Sequence, residues 1–178
     1  RHPQVKEAGE RALQKINSLP SRTPTAQDLQ ELCSSAEIWQ ALILACESKS
    51  PKLISVSMGA LQWLLARAVV PQESLRSILA CVTHIAADKE NLTSHDESLQ
   101  LKLLQVVLAL CTNPNYVIPS PFLASALGMC CLLHGSKSIN AQKTSVAAVT
   151  QLTSQIFDRL GGAGAAGPGS APPPGGPT

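Results

Sequence analysis

The sequence predicts an all-α fold, an armadillo- or HEAT-like irregular solenoid of about seven or eight helices, on three observations. Hydrophobic residues fill 44% of the 178 positions but aromatics only 3%, so the interior has to be built from Leu, Ala, Ile and Val, the residues of helix-on-helix packing. Apolar residues recur at helical spacing from Val5 to Leu160, interrupted where Pro, Gly and hydroxyl residues supply helix ends. There is also a faint repeat. Lys52-Leu53-Ile54 opens a helical stretch that ends in Val69-Val70-Pro71, and Lys102-Leu103-Leu104 lies in one followed by Val117-Ile118-Pro119. An interval of about fifty residues fits stacked helix pairs, although an irregular bundle would carry much the same pattern.

Taken in order, Pro3 suits the first turn of a helix running to about Ser18, with Val5, Ala8, Ala12, Leu13 and Ile16 on its inner side. Leu19–Thr25 reads as a loop, and Thr25 with Asp28 as an N-cap and early acid. Leu29, Leu32, Cys33 and Ala36 follow at helical spacing, and Ile38–Ala45 continues apolar until Glu47-Ser48-Lys49. Ser50-Pro51 is an N-cap followed by a first-turn proline, opening a helix through Leu53, Ile54, Ser57, Leu61, Leu64, Leu65 and Ala68. Pro71 opens the next, through Leu75, Ile78, Leu79, Val82 and Ile85, with a polar connection from Ala86 to Ser94.

Leu99–Cys111 is the expected centre. Leu99, Leu103, Val106, Val107 and Leu110 mark one face and Leu101, Leu104 and Leu108 another, leaving only Gln100, Lys102 and Gln105 to solvent. Ser94 and Glu97 have the spacing of a capping box for it. After a loop from Thr112 to Pro119, Ser120-Pro121 repeats the earlier cap device ahead of Phe122, Leu123, Leu127, Met129, Cys130 and Leu133, with Gly135 as the stop. Asn140 is the expected cap of a last helix that holds Val146, Val149, Leu152, Ile156, Phe157 and Leu160 inside and closes at Gly161-Gly162. Residues 1–160 form one helical domain in this reading. Residues 161–178, made of Gly, Ala, Pro, Ser and Thr alone, form a flexible linker. Leu61, Leu64, Leu99, Leu103, Leu104, Val107, Leu110, Leu127, Leu152 and Ile156 are the expected core.

Fourteen basic and twelve acidic residues set no polyanion-binding field, so nucleic acid is not an expected partner. The six cysteines lie among apolar helical residues and read as small buried hydrophobes in a reducing compartment. The start at Arg1 reads as that of a fragment of a longer chain. The uncharged run from Leu103 to Ser136 is broken by Asn113, Pro114, Asn115, Pro119 and Pro121, so neither half reaches the roughly 20 apolar residues of a spanning helix. His2, His84, His95 and His134 form no metal-ligand pair, and Cys131 with His134 supplies two ligands of the four a zinc site needs. No nucleophile elbow or phosphate-binding glycine loop is present, and Asp88, Glu90, Asp96 and Glu97 read as a solvated loop patch. The chain is therefore expected to be non-enzymatic and to need no cofactor. Grooves between helices are left as the functional surface.

Three stretches carry a resemblance. LACESKSPKLISVSMGALQWL (Leu44–Leu64), LQLKLLQVVLALCTN (Leu99–Asn113) and SKSINAQKTSVAAVTQLTSQIFDRL (Ser136–Leu160) are similar to the DCB (dimerisation and cyclophilin-binding) domain of the large Golgi Arf exchange-factor family. HPQVKEAGERALQKI (His2–Ile16) and the short connection after Ala68 resemble its Mon-two (Ysl-two) scaffold branch, which lacks the exchange-factor catalytic domain. The family usually carries a further amphipathic helix ahead of the position of Arg1, so the first turns are expected to be under-packed. The resemblance implies the N-terminal domain of a large cytosolic protein, peripheral on trans-Golgi and endosomal membranes and held there only through partners. The implied partners are an Arf-like small GTPase in its GTP form and the adjacent HUS domain or another DCB copy, a homodimer being one form of the latter. Lys52, Lys137, Ile139, Asn140 and Thr144 match family positions and are the candidate partner-binding residues. The alternatives are a regulatory domain of a true exchange factor and an unrelated solenoid adaptor that binds peptides.

Overall fold

A computed structural model describes residues 2–19, 23, 25–87 and 96–164, with side chains through Asp158. Among them are eight helices: α1 (Pro3–Asn17), α2 (Ala26–Ser34), α3 (Ala36–Glu47), α4 (Pro51–Ala66), α5 (Gln72–Ala87), α6 (Glu97–Thr112), α7 (Ser120–His134) and α8 (Ile139–Gly164). The helices stack in two layers. In one, α1 packs on α3, α3 on α5 and α5 on α7; in the other, α4 packs on α6 and α6 on α8. Contacts of α3 with α4 and of α7 with both α6 and α8 join the layers. Each helix touches its neighbours in the stack and little else, which is the solenoid arrangement.

The faint repeat has a structural counterpart. The two helices with the Lys-Leu pattern, α4 and α6, are adjacent in one layer, and the two V-x-P segments each lead into the next helix of the other layer. Polar bonds fix the register of α4 and α6. Near their N-terminal ends, Lys102 Nζ donates to the Ser55 carbonyl at 3.1 Å and to its Oγ at 2.8 Å. At their C-terminal ends, Asn113 Nδ2 and Tyr116 Oη reach the Leu65 carbonyl at 3.4 and 3.5 Å. The two helices therefore run parallel.

Burial follows α6, where Leu99, Leu103, Leu104, Val106, Val107, Leu110 and Cys111 are all enclosed. Leu61 and Leu152 are also buried. Leu64, Leu127 and Ile156, expected in the core, are only half-buried. Leu64 is in the last turn of α4, while Leu127 and Ile156 sit on the last two helices of the stack. Two of the three polar positions expected to be wet on α6 are also corrected. Gln100 is buried, accepting from Ser136 Oγ at 2.7 Å, and Lys102 is held against α4, so only Gln105 is exposed.

Several helix ends differ in chemistry from expectation. Thr25 and Asp28 do form a reciprocal capping box, and its two hydrogen bonds from Thr25 hold the Asp28 carboxyl below its ordinary range. The apolar run from Leu29 to Ala45 is broken at Ser35, whose extended backbone separates α2 from α3. Ser50 precedes Pro51 as expected but makes no side-chain cap bond. Helix α7 starts at Ser120 itself, with Pro119 in the cap position. Ser94 lies outside the described residues, and the cap of α6 is Asp96, whose Oδ1 accepts from Leu99 N at 3.2 Å. Helix α8 is capped by Ser138 rather than Asn140: Ser138 Oγ accepts from Ala141 N at 3.1 Å. It continues through Gly161-Gly162 to Gly164, and the rest of the expected linker lies outside the described residues.

Glycine is absent from the turn after α4. Helix α4 ends in a Schellman arrangement, with Ala68 N donating to Leu65 O at 3.0 Å and Val69 N to Leu64 O at 3.4 Å. Ala68 occupies the left-handed position there at φ 54°, where a side chain costs about 1–2 kcal/mol.

Candidate interaction surface

Because α4, α6 and α8 are parallel, their N-terminal ends form one edge of the stack. Asn140 Nδ2 of α8 donates to Glu97 Oε1 of α6 at 2.7 Å. Hydrogen bonds from Asn140 and then Ser138 hold the Glu97 carboxyl below the usual glutamate range. Behind them, Ser136 Oγ accepts from Ser138 N at 3.1 Å while donating to buried Gln100, and Gln142 Nε2 donates to the Ser136 carbonyl at 2.6 Å. This network fixes the turn before α8 against α6.

The five candidate residues lie along this edge without forming one cluster. Lys52 is exposed in the first turn of α4, Lys137 in the turn before α8, and Asn140 in the first turn of α8. The width of α6 separates the first from the other two, roughly 16–20 Å at ordinary interaxial distances. Thr144, half-buried, shares the α6-facing flank with Asn140. Ile139 is about 100° further round the helix and is 65% exposed. The edge presents cations at its ends and two carboxylates, Asp96 and Glu97, both already engaged, in the middle.

Two grooves lie in the other layer, one on each side of α5. A space of about 870 Å³ separates α5 from α7, between Leu75, Arg76 and Leu79 on one side and Val117, Pro119 and Phe122 on the other. A second, of about 570 Å³, lies between α5 and α3 against Trp39 and Ile43. Cys46, Cys81, Cys111 and Cys130 are buried, with Cys46 Sγ 3.1 Å from Ser57 Oγ. The hydrogen bond that the Cys81 thiol donates to Cys46 and then burial push Cys81 up, and burial pushes the Cys130 thiol up to about 11. Such thiols pack and do not react at neutral pH. Cys131 and His134 are both exposed, and among the described residues no three His, Cys, Asp or Glu side chains are grouped as for a metal ion. No helix among them is long and apolar enough to cross a membrane.

Exposed apolar side chains were the features least visible beforehand. Trp63 on α4 is 56% exposed, with the Arg67 guanidinium 3.5 Å from its ring centroid. On α1 only Ala8 and Ala12 are buried while Leu13 and Ile16 are exposed, which leaves the first helix under-packed. On α8, Val146 and Phe157, both expected inside, are exposed. The helical period marked both as inner positions, and among the described residues no helix covers them.

Residues 1–162 match the family described as DCB: Mon2/Sec7/BIG1-like, dimerisation and cyclophilin-binding domain. The human protein named Protein MON2 homolog is 31% identical over 160 residues, covering 89% of this chain and 9% of the relative. Protein MON2 of Saccharomyces cerevisiae is 34% identical over 124 residues, 66% of this chain and 7% of the relative. Mouse Brefeldin A-inhibited guanine nucleotide-exchange protein 1 is 27% identical over 124 residues, again 66% and 7%. The chain thus spans less than a tenth of the length of each of these relatives.

Proposed function

Since the chain belongs to the DCB family of Mon2/Sec7/BIG1-like proteins, we propose that it is a protein-interaction domain of a Golgi and endosomal trafficking scaffold, working on the cytosolic face of those membranes. Its partner is an Arf-like small GTPase in the GTP form, and the domain also associates with a second copy of itself or with an adjoining HUS domain. The observation that carries the GTPase reading is the fixed edge of α4, α6 and α8. Lys52 and Lys137 are exposed at its two ends, and Asn140 is positioned by Glu97. A preorganised polar edge suits a partner whose switch segments are ordered only when GTP is bound, because ordering is then not charged to this side of the contact. Recruitment follows nucleotide state only if the two states bind with different affinity. The role is non-enzymatic, and the membrane is reached through the partner.

Binding of the chain to a panel of Arf and Arf-like GTPases, each loaded with a GTP analogue or GDP, tests this. The expected result is GTP-selective binding by one member, reduced at least about tenfold by Lys52→Glu or Lys137→Glu with no change in melting. Equal binding of both nucleotide states by every member would refute it. The likeness to the mouse exchange protein favours one second reading, a regulatory domain of a catalytic exchange factor. Sequence downstream of residue 178 separates the two.

A further inference from the structure

We propose that the outward face of α4 is a docking surface for an amphipathic helix of a partner protein, one with an acidic residue at each end of an apolar centre. This goes beyond the function proposed above and does not rest on it. Ile54, Met58, Leu61 and Leu65 turn α4 into the core. On the opposite side Lys52, Val56, Trp63 and the C-cap residue Arg67 fall in one file, within about 60° of one another and about 22 Å from end to end. Val56 is 70% exposed and Trp63 56%, and Lys52 and Arg67 are exposed as well. The file is therefore apolar in the middle and cationic at both ends. Arg67 is fixed in place, with its guanidinium 3.5 Å from the Trp63 ring centroid and its Nη1 donating to the Trp63 carbonyl at 3.3 Å. Tryptophan and arginine are the residue types that anchor protein contacts most often, and a guanidinium held on a ring still has N–H groups to offer a carboxylate.

Charge and shape select the occupant. From Ser48 to Gln72 the chain holds Lys49, Lys52 and Arg67 and no acid. On α1 the cations are answered within the chain, Lys6 by Glu10, Arg11 by Glu7 and Lys15 by Glu31. Among the described residues no carboxylate forms an ion pair with Lys52, Arg67 or Lys102. Lys102 borders the file from α6, its Nζ held on Ser55, so a third cation stands beside the apolar middle. Between Val56 and Trp63, about 10 Å apart along the axis, only Gly59 and Ala60 flank the file. The chain's own packing does not call for this glycine. A Cβ at Gly59 would meet Lys102 Cε at 3.8 Å and Nζ at 3.9 Å, ordinary contacts, and glycine is the poorest residue for a helix interior after proline. What a missing side chain permits there is close approach of another backbone. The result is a notch in a file one helix wide, which suits a rod with a side chain seated in the notch. A lipid surface is a plane and has nothing to place in it. To meet Lys52 and Arg67 the occupant's acids stand about 14 or 15 residues apart on its contact face.

The probe is a synthetic helix of about 19 residues with a glutamate at each end of its apolar face, set against the same peptide with lysine at those two positions. Binding to the whole chain is followed by calorimetry and by tryptophan emission. Trp39 is 3% exposed with its Nε1 donating to the Cys33 carbonyl, so a blue shift on binding reports Trp63. The wild type is expected to show that shift and to bind the glutamate-ended helix at least about tenfold more tightly than the lysine-ended one. Trp63→Ala and Arg67→Glu are each expected to weaken the glutamate-ended helix at least about tenfold, and Arg67→Glu to gain affinity for the lysine-ended one. Gly59→Ala is expected to weaken binding about threefold while raising the melt, the opposite of what a packing role for the glycine would give. No binding, equal binding of the two peptides, or binding indifferent to Trp63→Ala and Arg67→Glu would overturn the proposal. So would sedimentation with vesicles of phosphatidylcholine and phosphatidylserine, about 3:1, that Trp63→Ala abolishes while neither peptide binds, an outcome that gives the face to an anionic membrane. GTPase binding by Trp63→Ala is expected to stay at wild-type strength, because Trp63 lies about 16 Å along α4 from Lys52, so either reading can fail without the other.

Discussion

Replacing Leu104 by alanine tests whether α6 is the centre of the stack. Leu104 is fully enclosed, on a helix that packs against α4 on one flank and α8 on the other, with α7 behind. The change removes three carbons, about 2.4 kcal/mol of transfer free energy at about 0.8 kcal/mol per methylene. Both flanks are held in register by hydrogen bonds, Lys102 to Ser55 and Asn140 to Glu97, so the walls cannot close far and a cavity remains. The total is about 3–5 kcal/mol. Set against the roughly 5–15 kcal/mol that holds an ordinary domain folded, the variant should keep its fold and melt lower by about 6–20 °C. Urea titration at unchanged slope gives the loss directly. Gln105→Ala, one residue on and exposed, is the control and should stay within about 0.5 kcal/mol. A loss under about 1 kcal/mol at Leu104, or equal losses at both positions, would refute the reasoning. Leu104→Asp goes further: an unpaired charge in that site should abolish cooperative folding.

Ser136→Ala removes the hydroxyl that donates to buried Gln100 and accepts from Ser138 N, and should cost about 1–3 kcal/mol in the same titration. A loss too small to resolve would mean the turn before α8 is not held by this network. Ala68→Gly relieves a side chain at φ 54° and should stabilise by about 0.5–1 kcal/mol, since the gain exceeds the added freedom of the unfolded chain. A lower urea midpoint would count against the left-handed turn. Asn140→Ala should move the Glu97 titration, followed by NMR, back toward an ordinary glutamate. The sign follows from the folded carboxyl lying below its unfolded value: its contribution is full above the unfolded pKa and lost as pH falls through the folded one. In the variant that loss is smaller and is complete at higher pH, and an unmoved titration would show that Asn140 does not set it.

Much of the fold was legible because helical periodicity, first-turn prolines and cap residues acted together. Pro3, Pro51 and the Thr25–Asp28 pair stand where they were expected. What escaped was information that neighbours supply. Gln100 looked like a solvent position on α6, and only the turn at Ser136, far along the chain, makes it a core residue. Ala68 carries no glycine signal, so the left-handed turn was invisible at that position. Asn140 had the right chemistry for a cap, but Ser138 stood two residues nearer the turn and took that role, freeing Asn140 to reach Glu97. Val146 and Phe157 repeat at helical spacing as well as any core residue; whether such a stripe is covered depends on a further helix, and periodicity is silent on that. The same limit applied to the candidate edge. Its residues could be named singly, but their spread across α4, α6 and α8 is a property of the stack.

The polar ties of the stack are distributed unevenly, and that gives it a direction of easy bending. Lys102–Ser55 and Asn140–Glu97 stitch α4, α6 and α8 to one another, whereas the opposite layer has open grooves on both sides of α5. A flexure that spreads α4, α6 and α8 apart has to break hydrogen bonds. One that draws α3 and α7 closer to α5 narrows those grooves and covers exposed Val117 as it does so. The domain is thus built like a strip with an inextensible backing, stiff when bent one way and compliant when bent the other, and a partner seated in the α5–α7 groove would act on it as a wedge.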